Sequence, residues 1–263
     1  MNGQNDQSQA AYQWAILQQG QLPLRPGREF DQTAEHRCTA VLVWPEGEAP
    51  TGQNTLLTDP CFSTRGLAEA AAVLSGFAGF SLGDARRLFV THPHHDHVPN
   101  LPAIATATDF SMFEPDVDAG LPGFAAVPCP GHFPTLRSLA FHDAEGRRVW
   151  IVGDAVLSEE WLRAWEYYWP NGYGRADIVQ TWRSVAVILS GADVVIPGHG
   201  PPVRVTAPLL EDLLAGFPGA DHAADCPDAA ETLRRRLASL EGGPGGEGHG
   251  AWAWNDWGES SAG

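Results

Sequence analysis

Lysine is absent from the 263 residues; all sixteen basic residues are arginine, against 32 aspartates and glutamates, for a formal charge of -16. The missing lysines most simply reflect base composition in the encoding genome, and they remove lysine as a catalytic or anion-binding group. So acidic a surface repels phosphate backbones and anionic lipid, which argues against nucleic acid and membrane as partners. Cysteine is also scarce. Cys38, Cys61, Cys129 and Cys226 form no CxxC pair, which excludes a disulfide framework in a chain of this size. They are expected to be reduced and structural, and Cys129, three residues before His132, is read as a small buried hydrophobe. Long apolar runs are lacking too. Residues 1–10 are polar without a positively charged start, and no run approaches a signal or membrane span, so the expected location is cytoplasmic.

A hydrophobic content of 43% with ten tryptophans is that of a globular protein. One domain is expected over residues 1–240, followed by a Gly-rich tail, 241–263, expected to be disordered despite Trp252, Trp254 and Trp257. Short apolar, partly β-branched runs read as strands at 14–17, 39–44, 54–58, 87–90, 124–127, 138–141, 149–152 and 193–196. Helical spacing marks 67–77, 159–169, 178–189, 207–215 and 229–240, and Pro99-Asn100-Leu101-Pro102 opens a further short helix.

The densest chemistry lies in Thr91-His92-Pro93-His94-His95-Asp96-His97-Val98-Pro99-Asn100, which follows the apolar run Leu88-Phe89-Val90. Imidazole nitrogens and carboxylate oxygens are the ligand set preferred by zinc and its first-row neighbours. A histidine-rich turn can be merely a solvated loop. Three further segments favour a metal: Pro130-Gly131-His132, Val152-Gly153-Asp154 and Ile196-Pro197-Gly198-His199-Gly200 each end an apolar run in a glycine-marked turn with a ligand-type residue. Glycine beside a ligand lets the backbone pass close to a metal.

In this order the motifs resemble the metallo-β-lactamase superfamily: an aspartate after an early strand, His-x-His-x-Asp-His, then His, Asp and His on later loops. The match runs from about Leu56 to Val203 and fills every ligand position. The resemblance implies an α/β (α+β) fold, a four-layer αββα sandwich of two mixed β-sheets with metals at one edge. It assigns His92, His94 and His132 to one metal, Asp96, His97 and His199 to a second, and Asp154 to both, with Asp59 orienting a ligand histidine. A shared carboxylate offsets the repulsion of two close cations, and a water held between them loses its proton near neutral pH. Two Zn2+ are the expected cofactors, with Fe2+ or Mn2+ as alternatives. His95 has no role in the pattern and, like His36, His142, His222 and His249, is expected to face away.

Spacing and departures narrow the activity. Only 34 residues separate His97 from His132 and 44 separate Asp154 from His199, too few for the cap domain of the nucleic-acid-processing branches. Asp154 stands where the true β-lactamases carry cysteine, and Val98-Pro99-Asn100 replaces the family's common glycine pair. The two C-terminal helices would make only a reduced version of the glutathione-binding domain of glyoxalase II-like enzymes. The chain thus resembles the small single-domain hydrolases of the superfamily, dinuclear zinc enzymes acting on a small ester, thioester or lactone. Alternatives are a mononuclear non-haem iron persulfide dioxygenase, a phosphodiesterase, or a non-catalytic binding protein of this fold. Catalytic roles fall on Asp96 and Asp154, and on Tyr167 or Tyr173 as oxyanion donors from the aromatic segment 161–173.

Overall fold

Pleating sends alternate side chains to opposite faces of a strand, and here both faces are apolar, so each strand must be covered on two sides. The computed structural model describes residues 10–107 and 122–242; the expected disordered tail beyond 242 lies outside them. In chain order the strands are β1 (Ala11–Gln18), β2 (Leu24–Arg25), β3 (Glu29–Phe30), β4 (Ala40–Pro45), β5 (Leu56–Thr58), β6 (Arg87–Phe89), β7 (Ala125–Pro128), β8 (Arg137–Asp143), β9 (Arg148–Gly153), β10 (Val194–Pro197) and β11 (Val203–Arg204). The helices are α1 (Thr64–Leu74), α2 (Pro102–Ala107), α3 (Glu159–Ala164), α4 (Arg175–Gly191), α5 (Ala207–Gly216) and α6 (Pro227–Glu241). None is long and apolar enough to cross a membrane among the described residues.

Nine strands form one mixed sheet in the order β11-β10-β9-β8-β1-β4-β5-β6, with β7 also on β8, while β2 and β3 make a separate hairpin. The two sheets expected of an αββα sandwich are thus continuous, joined where β1 meets β8 through two parallel residue pairs, Ala11 with His142 and Tyr12 with Asp143. Three cores show the layering. Val41, Val43, Leu56 and Phe89 of one half meet Leu139, Phe141, Val149, Ile151, Val194 and Ile196 of the other. The alternate residues turn outward: Leu42, Leu57 and Leu88 pack against Ala70 and Leu74 of α1. Trp150, Val152 and Val195 pack against Ile188 and Leu189 of α4, Leu210 and Leu213 of α5 and Leu233 of α6.

Helix starts follow local chemistry. Ser63 Oγ accepts the Gly66 N–H at the head of α1, and Thr206 caps α5 through Leu209 N–H. One helix is shorter than its apolar spacing predicts: in place of 159–169, α3 stops at Ala164, because Trp165 takes a left-handed backbone (φ 50°). Burial explains the break. The Trp165 indole donates to Leu213 O at 2.8 Å and stacks edge-on against Trp182 and Phe217, and a continuing helix would carry it away from that core. All four cysteines are unpaired.

Asp193 ties α6 to the sheet: it accepts from Arg148 Nη2 at 2.8 Å and from Arg236 Nη2 at 2.7 Å. These arginines outweigh its burial and hold its carboxyl down at about 2. Arg236 loses more to burial and to Arg148 than it recovers, so its own pKa falls and the net gain is modest. A depressed carboxyl stabilises the fold above its unfolded pKa, and the contribution fades as pH drops through the folded value. Asp193→Asn is therefore expected to cost about 1 kcal/mol at neutral pH, allowing for solvent screening, and to flatten the loss of stability between about pH 4 and 2. Urea unfolding across that range checks this; an unchanged pH slope would refute it.

Candidate metal centre

Asp59, the histidine-rich stretch, His132, Asp154 and His199 follow β5, β6, β7, β9 and β10 respectively, and the fold brings them together at one rim. The rim is locked across the join between the halves. Thr91 O accepts from Arg137 N, and Gly198 O accepts from Thr39 N at 2.7 Å. Gly198 is needed for close approach, since a β-carbon there would collide with Asp154 Oδ1.

The inward-facing atoms separate into two sets around Asp154. Its Oδ2 lies 3.2 Å from His132 Nε2 and 3.8 Å from His92 Nε2, and His94 Nδ1 is 2.9 Å from His92 Nε2 and 3.0 Å from His132 Nε2. Its Oδ1 lies 3.2 Å from His97 Nε2 and 3.1 Å from His199 Nε2, with Asp96 Oδ2 3.6 Å beyond on His199. Asp96 Oδ2, His97 Nε2 and Asp154 Oδ1 are buried and have no hydrogen-bond partner of acceptable geometry. Buried polar atoms are rarely left so, and these are the donors a second cation would satisfy. The residues present therefore fit bound metal, their donor atoms converging in the groups His92-His94-His132-Asp154, His97-Asp154-His199 and His36-Asp96-His199.

Behind the donors, the outer nitrogens are held. Asp59 Oδ2 meets His97 Nδ1 at 3.0 Å and also accepts from Thr91 Oγ1, while Thr91 Oγ1 lies 3.1 Å from His92 Nδ1. His199 Nδ1 is 2.9 Å from the Arg37 carbonyl, and His132 Nδ1 is 2.7 Å from the Tyr173 hydroxyl. The Asp59 carboxylate and the Arg37 carbonyl can only accept, so they favour a hydrogen on Nδ1 of His97 and His199 and turn Nε2 inward. Asp59 has a left-handed backbone, φ 41°, a strain the site retains.

The electrostatics divide similarly. Burial, with neighbouring imidazoles, pushes His92 down to about 2, and burial takes His132 to about 4, so both are neutral ligands at pH 7. Burial opposes charge on His97 as well, but Asp154 and Asp59 outweigh it and raise its pKa well above the usual value. Asp154 moves the other way: against the cost of burial, His199, His97 and His132 hold it ionised.

The tyrosines depart from expectation. Tyr167 turns its hydroxyl to Asp221 at 3.4 Å, and Tyr173 stands behind His132 while also accepting from Asn171 Nδ2. Neither hydroxyl is directed at the donors as an oxyanion group would be. Tyr168 is also near the carboxylates: burial, Asp96 and Asp154 raise its pKa, as burial and Asp154 raise that of Tyr173, and its ring lies 6.2 Å from that of His36. The segment does line a cleft of about 20 Å³, which Trp161, Tyr168, Tyr173 and Trp182 share with His132 and Asp154. His95 is exposed as expected, its side chain 88% accessible. His36 is a correction: instead of facing away, it reaches Asp96 Oδ2 at 3.2 Å. His249 lies outside the described residues.

No protein-family model matches the chain. Over 143 residues it is 32% identical to "Metallo-beta-lactamase domain-containing protein 1" of Xenopus laevis, a stretch covering 48% of this chain and 59% of that relative. The match thus spans less than two thirds of the relative's length. Among solved structures, a candidate metallo-β-lactamase of Thermotoga maritima aligns with TM-score 0.49 at 17% identity, over 74% of this chain and 99% of that one. A quorum-quenching N-acyl homoserine lactone lactonase aligns with TM-score 0.47 at 14% identity, over 73% and 92%. A metallo-β-lactamase family protein of Thermus thermophilus aligns with TM-score 0.45 at 15% identity, over 87% and 79%.

Proposed function

We propose that the chain, similar over about half its length to a metallo-β-lactamase-domain protein and carrying a convergent His/Asp cluster, is a member of that superfamily and a dinuclear metal-dependent hydrolase of a small ester, thioester or lactone, with zinc the expected ion. The observation that carries this reading is Asp154, whose two oxygens face two different donor sets. Divalent ions in those sets would supply a hydroxide nucleophile at neutral pH and polarise the attacked oxygen, so no serine or cysteine nucleophile is required.

The chain's own residues do the rest. Asp154 contributes the negative charge common to both sets, and Asp96 adds a second carboxylate to one of them. Asp59, Thr91, Tyr173 and the Arg37 carbonyl fix the ring orientations, so little reorganisation accompanies attack. The cleft beside them is narrow and aromatic, and among the described residues no arginine lines it. The acidic surface supports an uncharged substrate over a phosphate ester.

Metal content and a substrate screen test this together. Purified chain is expected to carry about two zinc ions, the count two donor sets imply. It should cleave esters, thioesters or lactones in a reaction that chelation abolishes and zinc restores. A single iron with oxygen consumption, or cleavage of phosphodiesters alone, would replace this reading with another.

A further inference from the structure

Beyond the seven ligands implied by the motif, one more imidazole reaches the same donors. His36 lies between β3 and β4 and places Nε2 3.2 Å from Asp96 Oδ2. That oxygen is the one 3.6 Å from His199 Nε2 and 3.8 Å from His97 Nε2. The donor atoms of His36, Asp96 and His199 all lie within 4.8 Å of one another, and the His36 and His199 rings are 5.6 Å apart. Its approach differs in kind from that of Asp59, Thr91 or Tyr173, which hold ring nitrogens turned away from the centre. His36 comes to the inward oxygen.

Its backbone is anchored. The adjacent Arg37 bridges to Gln21, buries its side chain against Glu69 at 3.0 Å, and gives its carbonyl to His199 Nδ1. The His36 ring itself is at the rim, with its side chain 36% exposed, where it can adjust to a ligand without disturbing the core.

We infer that His36 is an additional nitrogen donor of the second set, joining it through Asp96 and His199; this rests on the two-set reading above. The sets then differ in donor number, with four protein groups at the first and five at the second. The extra donor raises the coordination number of an ion in the second set by one, so His36 helps determine how tightly that set holds its ion.

Cobalt(II) titration of the metal-stripped full-length chain tests this by visible absorption, because the bands intensify as coordination number falls. Wild type is expected to bind two equivalents, the second with weak bands. In His36→Gln and His36→Ala the first equivalent should bind unchanged, while the second weakens by about 10- to 100-fold, the range seen when a metal's supporting groups are lost, and its bands intensify. Circular dichroism of both variants checks that they fold as wild type. Titrations indistinguishable from wild type, or equal weakening of both equivalents, would refute the His36 assignment while leaving the two-set reading intact. Wild type that takes up one equivalent or none would refute both.

Discussion

Asp154→Ala is expected to abolish hydrolysis and to release metal from both sets at once. Each set would retain its imidazoles, but the negative charge they share, held between His97 and His199 on one side and His132 on the other, would be gone. Two cations would then face each other across neutral nitrogens, with Asp96, among the described residues, as the sole carboxylate in reach of one of them. The loss in kcat/KM should exceed the roughly 100-fold that removing an outer partner of a ligand costs. Asp154→Asn separates shape from charge, since it preserves the side-chain volume and removes the anion. Metal counting by atomic emission alongside steady-state kinetics checks both variants. Retention of two ions together with wild-type turnover in either would remove the bridging role from Asp154.

Gly131→Ala should produce the largest loss of stability. Gly131 has φ 133°, a region hostile to a side chain, and its missing β-carbon would fall 2.6 Å from Thr181 N and 2.7 Å from Thr181 Cα. Both are backbone atoms of α4, so no rotamer change relieves the clash. Backbone strain and overpacking each cost about 1–3 kcal/mol, giving roughly 2–6 kcal/mol together. For a protein of this size that corresponds to a fall in Tm of about 10 °C. Scanning calorimetry of the metal-stripped protein isolates the packing effect from metal binding. A shift smaller than about 2 °C would mean that α4 gives way more easily than its close contact suggests.

The candidate donors that the fold brings together were readable from sequence because their chemistry is local: six positions hold His92, His94, Asp96 and His97, and His132, Asp154 and His199 each follow a glycine at the end of an apolar run. The layering was readable from the order of those motifs, through the family they resemble. What escaped was set by contacts distant along the chain. His36 precedes Asp96 by sixty residues and belongs to no motif, so nothing in its surroundings signals that β4 carries it to the rim. The tyrosines were singled out because their segment follows Asp154, and Tyr167, Tyr168 and Tyr173 do line the cleft beside it, but which hydroxyl points where depends on contacts distant along the chain. The Trp165 indole ends the expected 159–169 helix by entering the core of α4 and α5, which sends the Tyr167 hydroxyl to Asp221 while that of Tyr173 meets His132. The joining of the two sheets through Ala11 and Tyr12 was equally hidden, because two residue pairs leave no pattern.

That join also fixes where the chain can be lengthened. Glu46 donates to Ala11 O and Ala144 to Tyr12 O, so the β4–β5 and β8–β9 connections both meet the start of β1, at the opposite ends of the strands that deliver Asp59 and Asp154. Gly47, Glu48 and Glu145 are exposed there. Doubling a loop's length costs only about 0.6 kcal/mol in closure entropy. A reporter peptide or a fused domain inserted at these tips would sit a full strand away from the histidines, which makes this rim the attachment point for immobilising or tagging the protein with its chemistry left open.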